Sequence, residues 1–161
     1  MDKRGQIIGQ VFIYIMAVIV IGAIALIGYN AIKGTMNKSC QVEQLTFKSY
    51  LEQMIERYSS FGDVKKESLA APCSYQTVCF VDADSIDAKT PNSCPTNKII
   101  SNSVQDGVKT NIFVVSGSST LPIGYSNLIK TTPACLCIKA VNNNFQLVFR
   151  GQGSKTEISS S

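Results

Sequence analysis

The sequence predicts an α+β protein: a long N-terminal transmembrane helix continues into a stalk helix, which packs on a small antiparallel β-sheet head. Three observations carry this. Residues 5–32 hold no charged side chain. Phe47, Leu51, Met54, Ile55 and Tyr58 then recur on one face of a helix. Beyond residue 70, short β-branched and aromatic segments alternate with turn residues, the pattern of strands.

The uncharged run is long enough to cross a membrane. Its 28 residues reach about 42 Å as a helix, against a hydrocarbon core of about 30 Å. Ile, Val, Leu, Phe and Met occupy 14 positions between Ile7 and Ile27. At about 0.3–0.6 kcal/mol each, they favour insertion by several kcal/mol. The polar exceptions, Gln10 and Asn30, stand near the two ends, and the run is apolar on every side, unlike an amphipathic core helix. Lys3 and Arg4 precede the span with almost no chain ahead of them, which places the N-terminus in the cytoplasm. Six cysteines follow it, and disulfides persist outside the cell, so the C-terminal part is expected to be extracytoplasmic. Gly22, Ala25 and Gly28, with Ala31, form a slanted stripe of small residues, candidates for close helix packing in lipid. Ala23-Ile24-Ala25 also fits a secretory cleavage site, but the apolar run before it exceeds a usual signal core and continues past it.

The predicted division is therefore a basic cytoplasmic leader over 1–5, a transmembrane helix over 6–33 and an amphipathic stalk over 34–60. A disulfide-containing β-rich head over 61–150 and a flexible tail over 151–161 complete it. No proline lies between Gln6 and Ser60, so one long helix is allowed, with Gly34 as its weak point; two helices joined near 34–38 are the alternative. Gly62 is the expected helix stop. Asn37-Lys38-Ser39 is a glycosylation sequon close to the membrane.

In the head, 59–72 reads as loop or short helix, 75–81 and 111–115 as strands, and 97–105 as a short helix stopped by Gly107. Pro91 and Pro95 mark a loop around Cys94. Residues 121–130 are ambiguous. Leu136, Ile138 and Ala140 face one way on one strand, and Phe145, Leu147 and Phe149 on the next. A two-residue turn at Asn143-Asn144 would make these a hairpin with both sets on the core face. The Gly/Ser-rich tail is expected to hold at most a short edge strand, at 156–158.

Function classes are narrowed by composition. The net charge is +4, and about half of it sits beside the membrane span, so no basic patch for nucleic acid is present. There is no histidine, which removes the commonest general base and metal ligand. No nucleophile elbow, phosphate loop or paired carboxylates point to an enzyme, and no cofactor is implied. Asp82, Asp84 and Asp87 could face a calcium ion, but the turn glycine and closing glutamate of a helix–loop–helix calcium site are missing. Cys40, Cys73, Cys79, Cys94, Cys135 and Cys137 contain no C-x2-C pair, so three disulfides are expected rather than zinc. A redox-active Cys135-x-Cys137 is conceivable. Side chains two apart on a strand stand about 6.5 Å apart, however, so each should bond elsewhere, and 15 pairings remain open.

Lys3-Arg4-Gly5-Gln6 followed directly by the apolar helix resembles the class III signal peptide of archaeal type IV pilins. The resemblance covers about residues 3–30. It implies cleavage between Gly5 and Gln6 by a prepilin-type peptidase, with the helix retained as a filament core. It further implies partners in the lipid bilayer and in other copies or pilin-like subunits packed through that helix. Gln10 stands where these subunits commonly carry a glutamate, and Ile8 where some carry serine. The resulting expectation is a cell-surface structural or adhesive subunit, in the membrane or a surface filament. The alternative is an unprocessed single-pass membrane protein with an extracytoplasmic binding domain.

Overall fold

A computed structural model describes residues 4–89 and 94–161, with the side chains of 4–10 and 34–37 outside that description. The first three leader residues, the side chains of Gln6, Ile8, Gln10 and Asn37, and Pro91 therefore lie outside the described part. The chain divides into two compact units, Met1–Gln41 and Val42–Ser161. Helix α1 (Arg4–Arg57) is a single element, so the two-helix alternative does not hold. It ends five residues before Gly62, which adopts φ +91° in the turn that follows.

In the first unit every large apolar side chain from Val11 to Ile32 is exposed. This is the one segment among the described residues that is long and apolar enough to cross a membrane.

The second unit is built differently. It contains the last turns of α1 and two four-stranded sheets. After α1 come β1 (Val64–Ala70), a 3-10 turn at Pro72–Ser74, and β2 (Thr77–Val81). Two short helices follow, α2 (Ala83–Asp87) and α3 (Lys98–Gln105). The rest is β3 (Ile112–Ser116), β4 (Ser119–Gly124), β5 (Ile129–Thr131), β6 (Cys135–Lys139), β7 (Asn144–Gly151) and β8 (Thr156–Ser160). The first sheet has the order β1-β7-β8-β5, antiparallel except for the parallel pair β5–β8. The second has the order β4-β3-β2-β6 and is antiparallel throughout.

Both sheets contribute to one core. Phe47, Leu51, Met54 and Ile55 of α1 share it with Phe145, Leu147 and Phe149 of the first sheet and Val78, Phe80, Ile112 and Val114 of the second. The helical spacing of 0, 4, 7 and 8 accounts for the contribution of α1. The opposite face of the second sheet forms another cluster, in which Cys79, Val81 and Phe113 meet Ile86 of α2 and Ile100 and Val104 of α3. The second sheet is thus covered on both sides, which is why β2 (Thr-Val-Cys-Phe-Val) and β3 (Ile-Phe-Val-Val-Ser) read as nearly unbroken apolar runs. In β7 Phe145, Leu147 and Phe149 face the core, while the other face carries exposed Gln146 and Arg150 on either side of buried Val148.

Several expectations are corrected. Residues 59–72 carry β1, whose polar composition hid it: Lys65 and Lys66 are exposed and Leu69 alone is fully buried. The strands on either side of the asparagines do not pair as a hairpin. A two-residue turn is present, at Asn142-Asn143 rather than Asn143-Asn144, with φ of 50° and 59°. It closes the single bridge Val141–Asn144. Beyond it the strands part: Ala140 N–H donates to Gln76 O and holds β6 to β2, while Ala71 N–H donates to Asn143 O beside the β1–β7 ladder. Their apolar faces do meet, but across the core instead of side by side. The reason lies in the other faces. The second face of β6 carries Cys135 and Cys137 and needs the cover of the helices, whereas that of β7 is largely polar and needs water.

The segment 151–161 is not a flexible tail. It carries β8, an interior strand between β7 and β5, with Thr156 and Ile158 buried. Gly151 makes this possible, because a Cβ there would lie 1.6 Å from the backbone oxygen of Ser60. Thr156 Oγ1 also donates to the carbonyl of Ile55, tying β8 to the end of α1.

Candidate functional site

Three features of the chain carry chemistry or contact: the apolar helix, the sulfur cluster and a groove beside β1. Gly22 and Ala25 are exposed and Gly28 is half-buried. A Cβ added at Gly22 or Gly28 would meet no atom within 4 Å, so the small-residue stripe is open to an approaching helix or to lipid.

The cysteines are all oxidised among the described residues. Cys79 pairs with Cys137 and Cys94 with Cys135, while Cys40 and Cys73 are also disulfide-bonded. The expectation that Cys135 and Cys137 bond to separate partners holds. The strand register explains the first bridge, since Cys79 and Cys137 stand directly opposite on β2 and β6. Cys135, two residues earlier on β6, points to the same face and reaches Cys94 before α3. The sulfurs of Cys94, Cys135 and Cys137 all lie within 4.8 Å of one another. Joined in disulfides they offer no thiolate to a metal.

The acidic segment after β2 acts as a helix cap. One carboxylate oxygen of Asp82 accepts from Asp84 N–H at 2.8 Å at the start of α2, and the other accepts from Thr131 N–H at 3.2 Å. Asp84 is paired with Lys155. The Tyr125 hydroxyl nearby is pushed above its ordinary pKa, first by burial and then by Asp87, with Lys155 opposing and Asp84 adding. Asn97 caps α3 in the same way, accepting from the N–H groups of Ile99 and Ile100. Asp82 is thus spent on capping and Asp84 on a lysine pair.

The groove was not foreseen. It measures about 520 Å³ and is bordered by Val42, Phe47 and Tyr50 of α1 and by Leu69, Ala71 and Pro72 at the end of β1. Val42 and Tyr50 are exposed and lie outside the buried stripe of Phe47, Leu51, Met54 and Ile55. These apolar residues outside the core stripe were the available signal. β1 is an edge strand. Lys65 and Glu67 sit on its core-side face, opposite Phe149 and Leu147, and form an ion pair at 3.3 Å. Inward charge of this kind discourages another strand from adding to the edge.

Comparison with family models, with curated proteins and with solved structures finds no match to this chain. The geometry defines the class only as an α+β protein with an apolar N-terminal helix and a disulfide-bonded two-sheet unit.

Proposed function

We propose that this chain is a pilin-like cell-surface subunit, structural or adhesive, anchored in the membrane by its N-terminal helix. The leader lies in the cytoplasm and Val42–Ser161 lies outside. The observation that carries the reading is the exposed apolar stretch of α1. Its large side chains from Val11 to Ile32 are all exposed among the described residues, whereas the second unit has a buried core of its own. The oxidised cysteines support the outside placement. The Lys3-Arg4-Gly5-Gln6 junction adds processing between Gly5 and Gln6, and the last turns of α1 serve as the stalk on which the sheets pack. The reading involves no catalysis and no nucleic acid.

Intact mass and N-terminal sequencing of the membrane-extracted protein test it. A chain beginning at Gln6 is expected, a start at Met1 overturns processing, and a start at Leu26 indicates secretion instead. Electron microscopy of sheared cell surfaces then tests assembly, with the subunit expected in filaments.

The second reading, an unprocessed single-pass protein whose outer unit binds a ligand, is favoured by the groove at Phe47 and Leu69. Gln10 also favours it. Glutamine can hydrogen-bond a neighbouring N-terminal amine but cannot neutralise it, and an unpaired charge in hydrocarbon is costly. A Met1 start with no filaments selects this reading.

A further inference from the structure

The two bridges on β6 have a relation that their pairing alone does not require. Cys79 and Cys94 are 1% and 0% exposed, whereas Cys135 and Cys137 are half-buried. The half-buried pair lies on β6, whose other side is an open edge of its sheet. Of the four cysteines, only these two residues retain solvent exposure, so they mark the side from which an external thiolate would approach the bridges. Within the cluster, the Cys137 sulfur lies no more than 4.8 Å from those of Cys94 and Cys135. Disulfide exchange proceeds by attack of a thiolate on a bridge sulfur, and proximity together with access sets its rate.

We propose that Cys79, Cys94, Cys135 and Cys137 form one thiol–disulfide exchange site that captures a small external thiol on Cys135. The external thiolate attacks Cys135 Sγ. A mixed disulfide forms there, the Cys94–Cys135 bond breaks, and Cys94 leaves as a thiolate. Cys94 then attacks Cys137 Sγ, forming Cys94–Cys137 and breaking Cys79–Cys137. Cys79 takes up the proton that the external thiol lost. Two disulfide bonds exist before and after, so no further oxidant or reductant is consumed. The free thiol has moved from outside the protein to its most sheltered strand. Entry at Cys135 is preferred because its leaving partner, Cys94, has a second bridge sulfur within reach. The inference does not depend on how the chain is anchored or assembled.

The test uses the full-length protein in detergent, incubated with glutathione at pH 8, then quenched with acid, alkylated and mapped by peptide mass. The expected product carries glutathione on Cys135, an alkyl group on Cys79 and a Cys94–Cys137 linkage. Glutathione on Cys135 with the alkyl group on Cys94 shows simple opening and overturns the relay. An unchanged native map overturns it as well, as does label spread over all six cysteines, which marks unfolding. The Cys79→Ser variant gives a second measurement, because it leaves Cys137 as a thiol. Exchange of Cys94 between the two β6 sulfurs should then divide the alkyl label between Cys135 and Cys137. Label on Cys137 alone overturns the proposal, and if this variant does not fold, the native-chain map decides by itself.

Discussion

Ile19 and Ile55 belong to the same helix and differ completely in surroundings: the first is 59% exposed, the second 0%. Around Ile55, apolar residues fall on one stripe, and the chain supplies strands to cover it. Around Ile19 they fall on every side, and no described residue covers them. Apolarity alone did not decide which part became a core. Its angular distribution did, because a stripe can be matched by one sheet face whereas an all-round apolar cylinder needs an apolar medium. In the sheets the same rule works at period two. The inner strands of the second sheet, β2 and β3, are apolar on both faces and are covered twice, while β7 keeps Gln146 and Arg150 on its exposed face.

The largest effect that would sharpen this contrast is expected at Phe149, which is fully buried. Phe149→Ala should cost about 3–5 kcal/mol in urea unfolding of the full chain in detergent. Leu26→Ala, at a residue 68% exposed, should change the same transition by less than about 0.5 kcal/mol. Equal losses would break the comparison. Next comes Gly151→Ala, because the new Cβ would strike the backbone at Ser60 and not a movable side chain. A loss at or above the upper end of the ~1–3 kcal/mol usual for overpacking is expected. A fully stable variant would show that the Ser60 turn can move away.

For the helix, Ile19→Lys should weaken membrane insertion by about 3 kcal/mol, read as the ratio of membrane to soluble protein in an insertion assay. Val141→Lys, at an exposed position beside the asparagine turn, should leave insertion unchanged. If both behave alike, the apolar stretch is not inserted. The smallest effect is at Thr156→Val, which keeps the volume but removes the hydrogen bond to Ile55 O. About 1 kcal/mol should be lost, by the same urea measurement. No loss would mean that packing of β8, not this bond, holds it to the end of α1.

Much of this was legible. The heptad-like spacing of Phe47, Leu51, Met54 and Ile55 identified the buried stripe, and Gly107 marks the turn after α3. Asn97, which the sequence pattern puts inside α3, is its N-terminal cap. The same-face argument for Cys135 and Cys137 correctly separated their partners, though not which partner each takes. β1 was missed because a strand at a sheet edge buries little: Leu69 is its one fully buried residue, and Lys65, Lys66 and Glu67 disguise it. β8 was underestimated because Gly151, Gly153 and four serines look like a tail. Its place between two strands depends on β5 arriving from elsewhere in the chain. The groove escaped notice because its walls come from three separate stretches of the chain, at 42–50, 68–72 and 143.

By itself, then, the sequence determined which segments are apolar all round, which helix face is striped, and which sides of β6 and β7 are apolar. These are local properties, set by composition and by periods of 3.6 and 2 residues. Only the tertiary structure decided which strands are neighbours. Faces do not name partners, and the apolar sides of β6 and β7 could meet beside one another or across a core. The second face of each strand settled the choice, with the cysteines of β6 needing the shelter of α2 and α3 and the polar side of β7 needing water. That decision also brought four sulfurs together, which no spacing along the chain specifies.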